Sequence, residues 1–259
     1  MSRLSNLPPQ LYQALCSCQL LKVISGLTNF NASSVERISY ASKVGGADLI
    51  DVACSPELVK LAMRVSGLPI CVSAVQPELF PAAVASGATV VEIGNFDAFY
   101  AKNRVFGAAE ILELTRQTRM LLPGTVLSVT VPHLFPLDQQ EQLAIDLVAA
   151  GADLIQTEGG TSAKPFSPGV LGLIEKAAPS IASAHVISAA VDVPVLCASG
   201  ISDVTSPMAI SAGASGIGIG SAINRLDDEL AMVCAVRSVK KALESLSRSS
   251  MPSSLKNIV

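Results

Sequence analysis

Tryptophan is absent from this chain of 259 residues, and tyrosine and phenylalanine number only 3 and 7. So few flat rings leave no platform on which bases or sugars would stack. Charged residues make up 15% of the sequence and the net charge is −3, spread along the chain, so no basic stripe marks a nucleic-acid surface. Nucleic acid is not an expected partner. The six cysteines (Cys16, Cys18, Cys54, Cys71, Cys197, Cys234) form no CxxC pair and lie mostly in apolar segments. They read as free thiols of a reducing compartment, used as small hydrophobes. Cys16 and Cys18 stand two apart on a predicted helix and point in different directions, which argues against a metal or redox pair. The first nineteen residues show neither an apolar signal core nor an Arg/Ser-rich transit pattern, and no apolar stretch reads as long enough to span a membrane. The expected location is the cytoplasm in which the protein is made.

What the chain does contain is one phrase written four times: KVGGADLIDVA (Lys43 to Ala53), AVASGATVVEIG (Ala83 to Gly94), LVAAGADLIQTEG (Leu147 to Gly159) and AISAGASGIGIG (Ala209 to Gly220). Each is a helix end closed by Gly, then a small residue, then an apolar run of strand length, the junction between a helix and a parallel strand. PICVSAV (Pro69 to Val75), TVLSVTV (Thr125 to Val131) and PVLCASG (Pro194 to Gly200) fall between them, and LLKVISG (Leu20 to Gly26) stands in front. Eight strands alternating with helices predict an α/β fold, a single (β/α)₈ TIM barrel whose site lies at the C-terminal strand ends. Half the residues are hydrophobic, enough for a core inside the strands and a second beneath the helices. Residues 1–19 are expected to cap the barrel with a helix opened by Pro8-Pro9, residues 20–245 to form the barrel, and the Ser-rich residues 246–259 to be a mobile tail. The later helices are predicted near 34–44, 56–66, 77–86, 108–122, 137–150, 169–191, 204–212 and 224–245, with Pro179 a break point in the sixth of these.

The repeat also sets a register. Counting from the shared Ala puts Asp51, Glu92, Gln156 and Gly218 at equivalent positions, with Ala53, Gly94, Glu158 and Gly220 next on the same face. If that face points inward, Asp51, Glu92 and Gln156 form one interior layer with Glu158 above it. Carboxylates are seldom buried without a task or a partner. Grouped at the strand tops they would disfavour one another's ionisation, which raises at least one pKa toward the range useful for general acid/base work. The bland reading pairs Asp51 or Glu92 with Lys22 of the first strand, as a structural bridge.

ASGIS (Ala198 to Ser202) and GIGIGSAI (Gly216 to Ile223) end the seventh strand and form the eighth. Glycines at those two loops let backbone amides approach a phosphate, and Ser199, Gly200, Gly220, Ser221 and Ala222 are the expected contacts. Close helix packing is the alternative use of the same glycines. His133, just past strand five, is a candidate for proton transfer, whereas His185 reads as a helix-surface residue. Asn29 and Asn95 each follow a strand and either bind substrate or make Asx turns. Lys164, on the loop after strand six, is a candidate substrate contact or a solvated side chain. One His among carboxylates suits a divalent ion, but no spacing motif marks a metal site.

The phrases KVISGLTNF, ADLIDVACSPELVK, LPICVSAVQPELF, EIGNFDAFY, LSVTVPH, IQTEGG and PVLCASGISDVTSPMAISAGASGIGIGSAIN together resemble the uncharacterised hypothetical chloroplast reading-frame family shared by cyanobacteria and algal plastids. The resemblance covers nearly the whole chain and implies a barrel protein of phototrophs with no established activity, placed in the chloroplast stroma in plastid-encoded relatives. More distantly, the chain is similar to deoxyribose-phosphate aldolase and other phosphate-binding barrels, which implies an acid/base role for Asp51. Gln156 and Cys197 stand where that aldolase carries its two lysines, so the likeness does not extend to imine chemistry, and Lys22 is the only strand lysine left.

Three function classes follow. The first is an isomerase or lyase moving a proton on a small phosphorylated sugar or carbonyl compound, with Glu158 or Glu92 as base, His133 as acid and Asp51 setting protonation state; it needs no cofactor. The second is an FMN oxidoreductase holding the flavin phosphate at the same two loops. The third is a non-catalytic barrel that binds a phosphorylated metabolite. The sequence allows a homo-oligomer and points to no membrane.

Overall fold

The computed structural model describes residues 2–160 and 163–249. Eight parallel strands neighbour one another in chain order and close into a barrel: β1 (Leu20–Gly26), β2 (Leu49–Ala53), β3 (Ile70–Ala74), β4 (Val90–Ile93), β5 (Val126–Val131), β6 (Leu154–Thr157), β7 (Val195–Ala198) and β8 (Gly216–Ile219). Closure is made by β1 lying parallel to β8, with Leu20 opposite Gly216. A Cβ at Gly216 would come within 2.8 Å of the Leu20 Cβ, so the seam holds because that position has no side chain. The expected (β/α)₈ barrel is the fold.

Helices α1 (Pro9–Cys16), α2 (Ala32–Gly45), α3 (Pro56–Ser66), α4 (Phe80–Ala85), α5 (Asp97–Tyr100), α6 (Ala108–Leu121), α7 (Leu137–Ala149), α8 (Gly169–Ala190), α9 (Ser206–Ser211), α10 (Ser221–Asn224) and α11 (Glu229–Ser249) complete the chain. Their limits have local causes. Asn31 caps α2 by accepting from the Ser34 amide at 2.9 Å, and Gly46 ends it in the left-handed region at φ +89°. Ser55 caps α3, Pro56 occupies its first position, and Gly67 stops it.

Strand side chains alternate between two environments. Val23, Ile50, Val72, Val91, Val129 and Ile155 face outward into the core beneath the helices. Leu20, Leu49, Cys71, Val90, Val126, Leu154 and Leu196 fill the barrel floor, where Leu7, Leu11 and Leu15 from the N-terminal segment cover them. Each such leucine contributes roughly 1.5–3 kcal/mol by burial, so α1 is part of the core, as expected of a capping helix. Above that apolar floor the interior turns polar: Lys22, Asp51, Ser73, Glu92, Ser128, Thr130 and Gln156 are all buried.

Five expectations are corrected. The helix expected over 77–86 is a 3₁₀ turn (Pro77–Leu79) followed by α4, and the one expected over 224–245 is two helices, α10 and α11. Because α11 runs to Ser249, the tail expected from residue 246 begins inside a helix, and the rest of that tail, 250–259, lies outside the described residues. Pro179 does not break α8, which continues through it for 22 residues. By length and composition α8 is long and apolar enough to cross a membrane, contrary to the expectation that no apolar stretch reaches that length. Here Ala177, Ser180, Ala184 and Ile187 are buried, with Ala177, Ala184 and Ile187 in the core beneath the helices, as in an outer-layer barrel helix.

Candidate active site

The polar interior is organised around one cation. Lys22 Nζ of β1 lies 2.6 Å from Glu92 Oε2 of β4 and 3.9 Å from Asp51 Oδ2 of β2, and each of the three side chains is at most 1% exposed. Ser128 Oγ donates to Glu92 Oε2 at 2.8 Å and Gln156 Nε2 to Glu92 Oε1 at 2.7 Å, while Ser73 Oγ donates to Asp51 Oδ1 at 2.6 Å. The register read from the repeat is therefore correct, since Asp51, Glu92 and Gln156 do meet inside the barrel. Their proposed role is not what that layer shows. Lys22 is the ion-pair partner of both carboxylates, and none of the three residues lines the cavity at the strand tops.

Electrostatics follow from this packing. Burial alone would lower the Lys22 ammonium, but Glu92 and Asp51 beside it more than offset that and hold it above its ordinary value. A lysine held protonated is no nucleophile, so the remaining strand lysine does not restore an imine route. Burial pushes the Asp51 carboxyl up to about 7, Lys22 opposing and Glu92 adding to the shift.

Asn95, immediately after β4, connects this layer to the mouth. It adopts φ +60°, a left-handed conformation uncommon outside glycine, and donates from Nδ2 to Ser73 and Glu92 at 3.2 Å each and to Asp51 at 3.5 Å. It also lines a cavity of about 160 Å³ at the C-terminal strand ends.

That cavity contains the second carboxylate centre. Glu158, just past β6, is 2% exposed and lines the wall. Its Oε1 accepts from the Tyr100 hydroxyl in a short bond and from the His133 amide at 3.3 Å, with His133 Nδ1 at 3.1 Å; its Oε2 accepts from the Asp97 amide at 3.2 Å. Burial, with the Glu158 carboxylate beside it, holds the Tyr100 phenol above its usual range, which keeps it a hydrogen-bond donor. His133 thus buttresses Glu158 from behind and does not itself line the cavity. Glu158 and His133 form one group and Asp51 and Glu92 another around Lys22, so the four residues weighed for a divalent ion do not share a site. Among the described residues no cluster of three or more metal-ligating side chains occurs.

The two glycine-bearing loops follow β7 and β8, the strands next to β6 and Glu158, and Ser199, Gly200, Gly220, Ser221 and Ala222 all line the same cavity. Ser199 and Gly200 both adopt positive φ, +74° and +78°, and a Cβ at Gly200 would come within 2.7 Å of the Lys176 carbonyl and 2.8 Å of Gly160 Cα. Backbone is pressed on backbone there. The first amides of α10, Ser221 and Ala222, have no partner within their own helix because of where they stand. Among the described residues no Lys, Arg or His lines this cavity, whereas Asp97 and Glu158 do. Ser199 Oγ donates to Asp97 Oδ2 at 3.2 Å and so ties the loop after β7 to α5.

Gln156, also expected to touch substrate, is spent on Glu92 in the buried layer, and two further expected contacts lie elsewhere. Asn29 donates to the hydroxyls of Ser25 and Ser34 at 2.9 and 3.1 Å and accepts from the Asn31 amide, bracing the β1–α2 turn without itself lining the cavity. Lys164 is exposed on its loop and does not line the cavity. His185 is exposed on α8, as expected. Asp97, Tyr100 and Thr157 were missed: Asp97 and Thr157 line the cavity and Tyr100 holds Glu158. DAFY after the fourth strand carried the available signal, an acid and a phenol three residues apart on the catalytic face.

Fold and site together define a (β/α)₈ barrel with a carboxylate and two glycine-bearing loops around one cavity at its mouth. The chain belongs to the family described as "Protein of unknown function (DUF561)", whose profile matches residues 4–249. It is 45% identical over 216 residues to uncharacterized protein ycf23 of Cyanophora paradoxa, covering 83% of this chain and 88% of that protein. With ycf23 of Porphyra purpurea it shares 40% over 225 residues, covering 87% and 85%. The resemblance to the chloroplast reading-frame family is thereby established. A solved structure provisionally assigned as a deoxyribose-phosphate aldolase of Toxoplasma gondii superposes with TM-score 0.58 at 14% identity, covering 90% of this chain and 98% of that one, a likeness of fold.

Proposed function

We propose that this protein binds a small phosphorylated sugar or carbonyl compound at the mouth of its barrel and moves a proton on it, as an isomerase or lyase of the phototroph cytoplasm. One observation carries the reading: Ser199, Gly200, Gly220, Ser221 and Ala222 line the same cavity as Glu158. Backbone amides and hydroxyls of the two loops would hold the phosphate, and Glu158 would take a proton from the carbon beside the carbonyl. If that carbon bears a hydroxyl, return of the proton to the former carbonyl carbon, with the hydroxyl proton passing to the former carbonyl oxygen, completes an isomerisation. If instead a group on the carbon β to the carbonyl departs with its bonding electron pair as the enolate collapses to an α,β-unsaturated carbonyl, the step is a lyase reaction. Tyr100 and His133 fix the carboxylate in place, and the Lys22–Glu92–Asp51 layer beneath positions Asn95. No cofactor enters the reading. An FMN phosphate would suit the same loops, and a yellow protein with stoichiometric flavin would replace this proposal with an oxidoreductase.

Thermal unfolding with inorganic phosphate and with triose and pentose phosphates tests it. Stabilisation is expected in wild type and loss of it in Ser221→Asp, which sets a carboxylate in the cradle without disturbing a glycine. Equal stabilisation of both proteins would put the anion elsewhere.

A further inference from the structure

A second cavity of about 240 Å³ adjoins the first and differs from it in chemistry. Leu27 and Thr28 line both. The rest of its lining comes from the ends of β2 and β3 and the segments that follow β1, β3 and β4, with Phe30, Cys54, Ala74, Leu79 and Phe99 among them. Among the described residues no charged side chain lines it. Phe30 and Leu79 stand at its rim 63% and 40% exposed, an arrangement that leaves large apolar surface in water beside a site. The two spaces also touch through hydrogen bonding, since Asn95 of the first cavity donates to Ser73 of the second at 3.2 Å.

We infer that the second cavity is the apolar subsite of the same ligand, which is a phosphate monoester carrying an uncharged hydrocarbon or aromatic portion at the end remote from its phosphate. This rests on the phosphate reading of the first cavity. Continuity decides the occupant. Neither cavity alone reaches the roughly 300 Å³ at which small-molecule pockets begin, whereas the two joined across Leu27 and Thr28 do. With no cation in the second cavity, a bisphosphate or a second carboxylate would be desolvated there without compensation. A bare sugar phosphate would leave Phe30, Leu79 and Phe99 uncovered. A long apolar group would cover them.

The experiment is calorimetric titration of the purified protein with inorganic phosphate, then with methyl, butyl and octyl phosphate, below the concentration at which the last forms micelles. Affinity is expected to rise by roughly two- to fourfold for each methylene buried. In Leu79→Asp and Phe30→Asp, both at exposed rim positions, the dependence on chain length should fall at least fivefold between methyl and octyl phosphate while inorganic phosphate binds as before. If phosphate binds and the alkyl series is flat, the apolar subsite is refuted and the anion cradle stands. If neither phosphate nor any ester binds, the cradle reading fails and this inference with it. A chain-length gain that persists unchanged in both variants would place the hydrocarbon elsewhere and also refute the inference.

Discussion

Lys22 and Glu92, on the first and fourth strands, face each other across the barrel at 2.6 Å with neither side chain more than 1% exposed. A buried pair is a weak source of net stability, but without Glu92 the Lys22 ammonium keeps only Asp51, at 3.9 Å, and loses its direct hydrogen-bonded counter-charge. Glu92→Gln is therefore expected to lower unfolding free energy by roughly 3–5 kcal/mol at neutral pH, read by urea denaturation. Lys22→Met combined with Glu92→Gln should recover more than half of that loss. A single variant as stable as wild type would mean that the bridge does not hold the layer.

Asp51 gives a pH dependence whose sign can be worked out. In the folded protein its carboxyl is raised to about 7, whereas in the unfolded chain it titrates near its usual value of about 4. Between those values the folded state keeps a proton that the unfolded state has released. The stability contributed by this group is thus present below about 4 and lost as pH rises through about 7. Measured from pH 5 to 8, the stability of wild type relative to Asp51→Asn should decline with pH and then level. A flat difference would show that Asp51 titrates normally.

Asp97 is expected to oppose anion binding. It shares the cavity with the glycine-bearing loops, and among the described residues no cationic side chain lines that cavity. Asp97→Asn keeps an oxygen to accept from Ser199 Oγ while removing the charge, so phosphate should bind roughly three- to tenfold more tightly. Unchanged affinity by calorimetry would place the phosphate outside the reach of Asp97.

The thiols should divide by burial. Burial pushes Cys54 and Cys197 up to about 12, and Cys71, also buried, lies well above its usual value. Cys16 and Cys234 are exposed. At pH 8 a disulfide-exchange reagent should label Cys16 and Cys234 within minutes and Cys54, Cys71 and Cys197 only after denaturation, as mapped by peptide mass spectrometry. Rapid labelling of Cys197 in the native protein would contradict the packing of β7.

The barrel was legible because a glycine, a small residue and an apolar run recur at four helix-to-strand junctions, with apolar runs of strand length between them, and backbone geometry favours that pattern locally. The interior layer was legible in its membership, since period-two alternation places Asp51, Glu92 and Gln156 on one face. Its chemistry was legible only as an alternative, the Lys22 bridge standing beside the acid/base reading. Whether Lys22 meets Glu92 depends on the stagger of strands that never neighbour one another in sequence, and periodicity is silent on that. Asn29 and Asn95 look alike on paper, each following a strand; one is spent on Ser25 and Ser34 in a turn, the other reaches three acceptors in the barrel. Asp97 and Tyr100 escaped notice because a helix of four residues leaves no periodic trace.

At the anion end, Gly160 and Gly200 meet main chain to main chain: a Cβ on Gly160 would sit 2.3 Å from the Gly200 amide nitrogen, and one on Gly200 would sit 2.8 Å from Gly160 Cα. Two loops that share a surface this bare have no side chains through which to adjust independently. A lineage that alters either glycine must re-lay both loops at once, so drift toward a new ligand has its freedom on the other flank, at Ser221 and Ala222, where a side chain already stands.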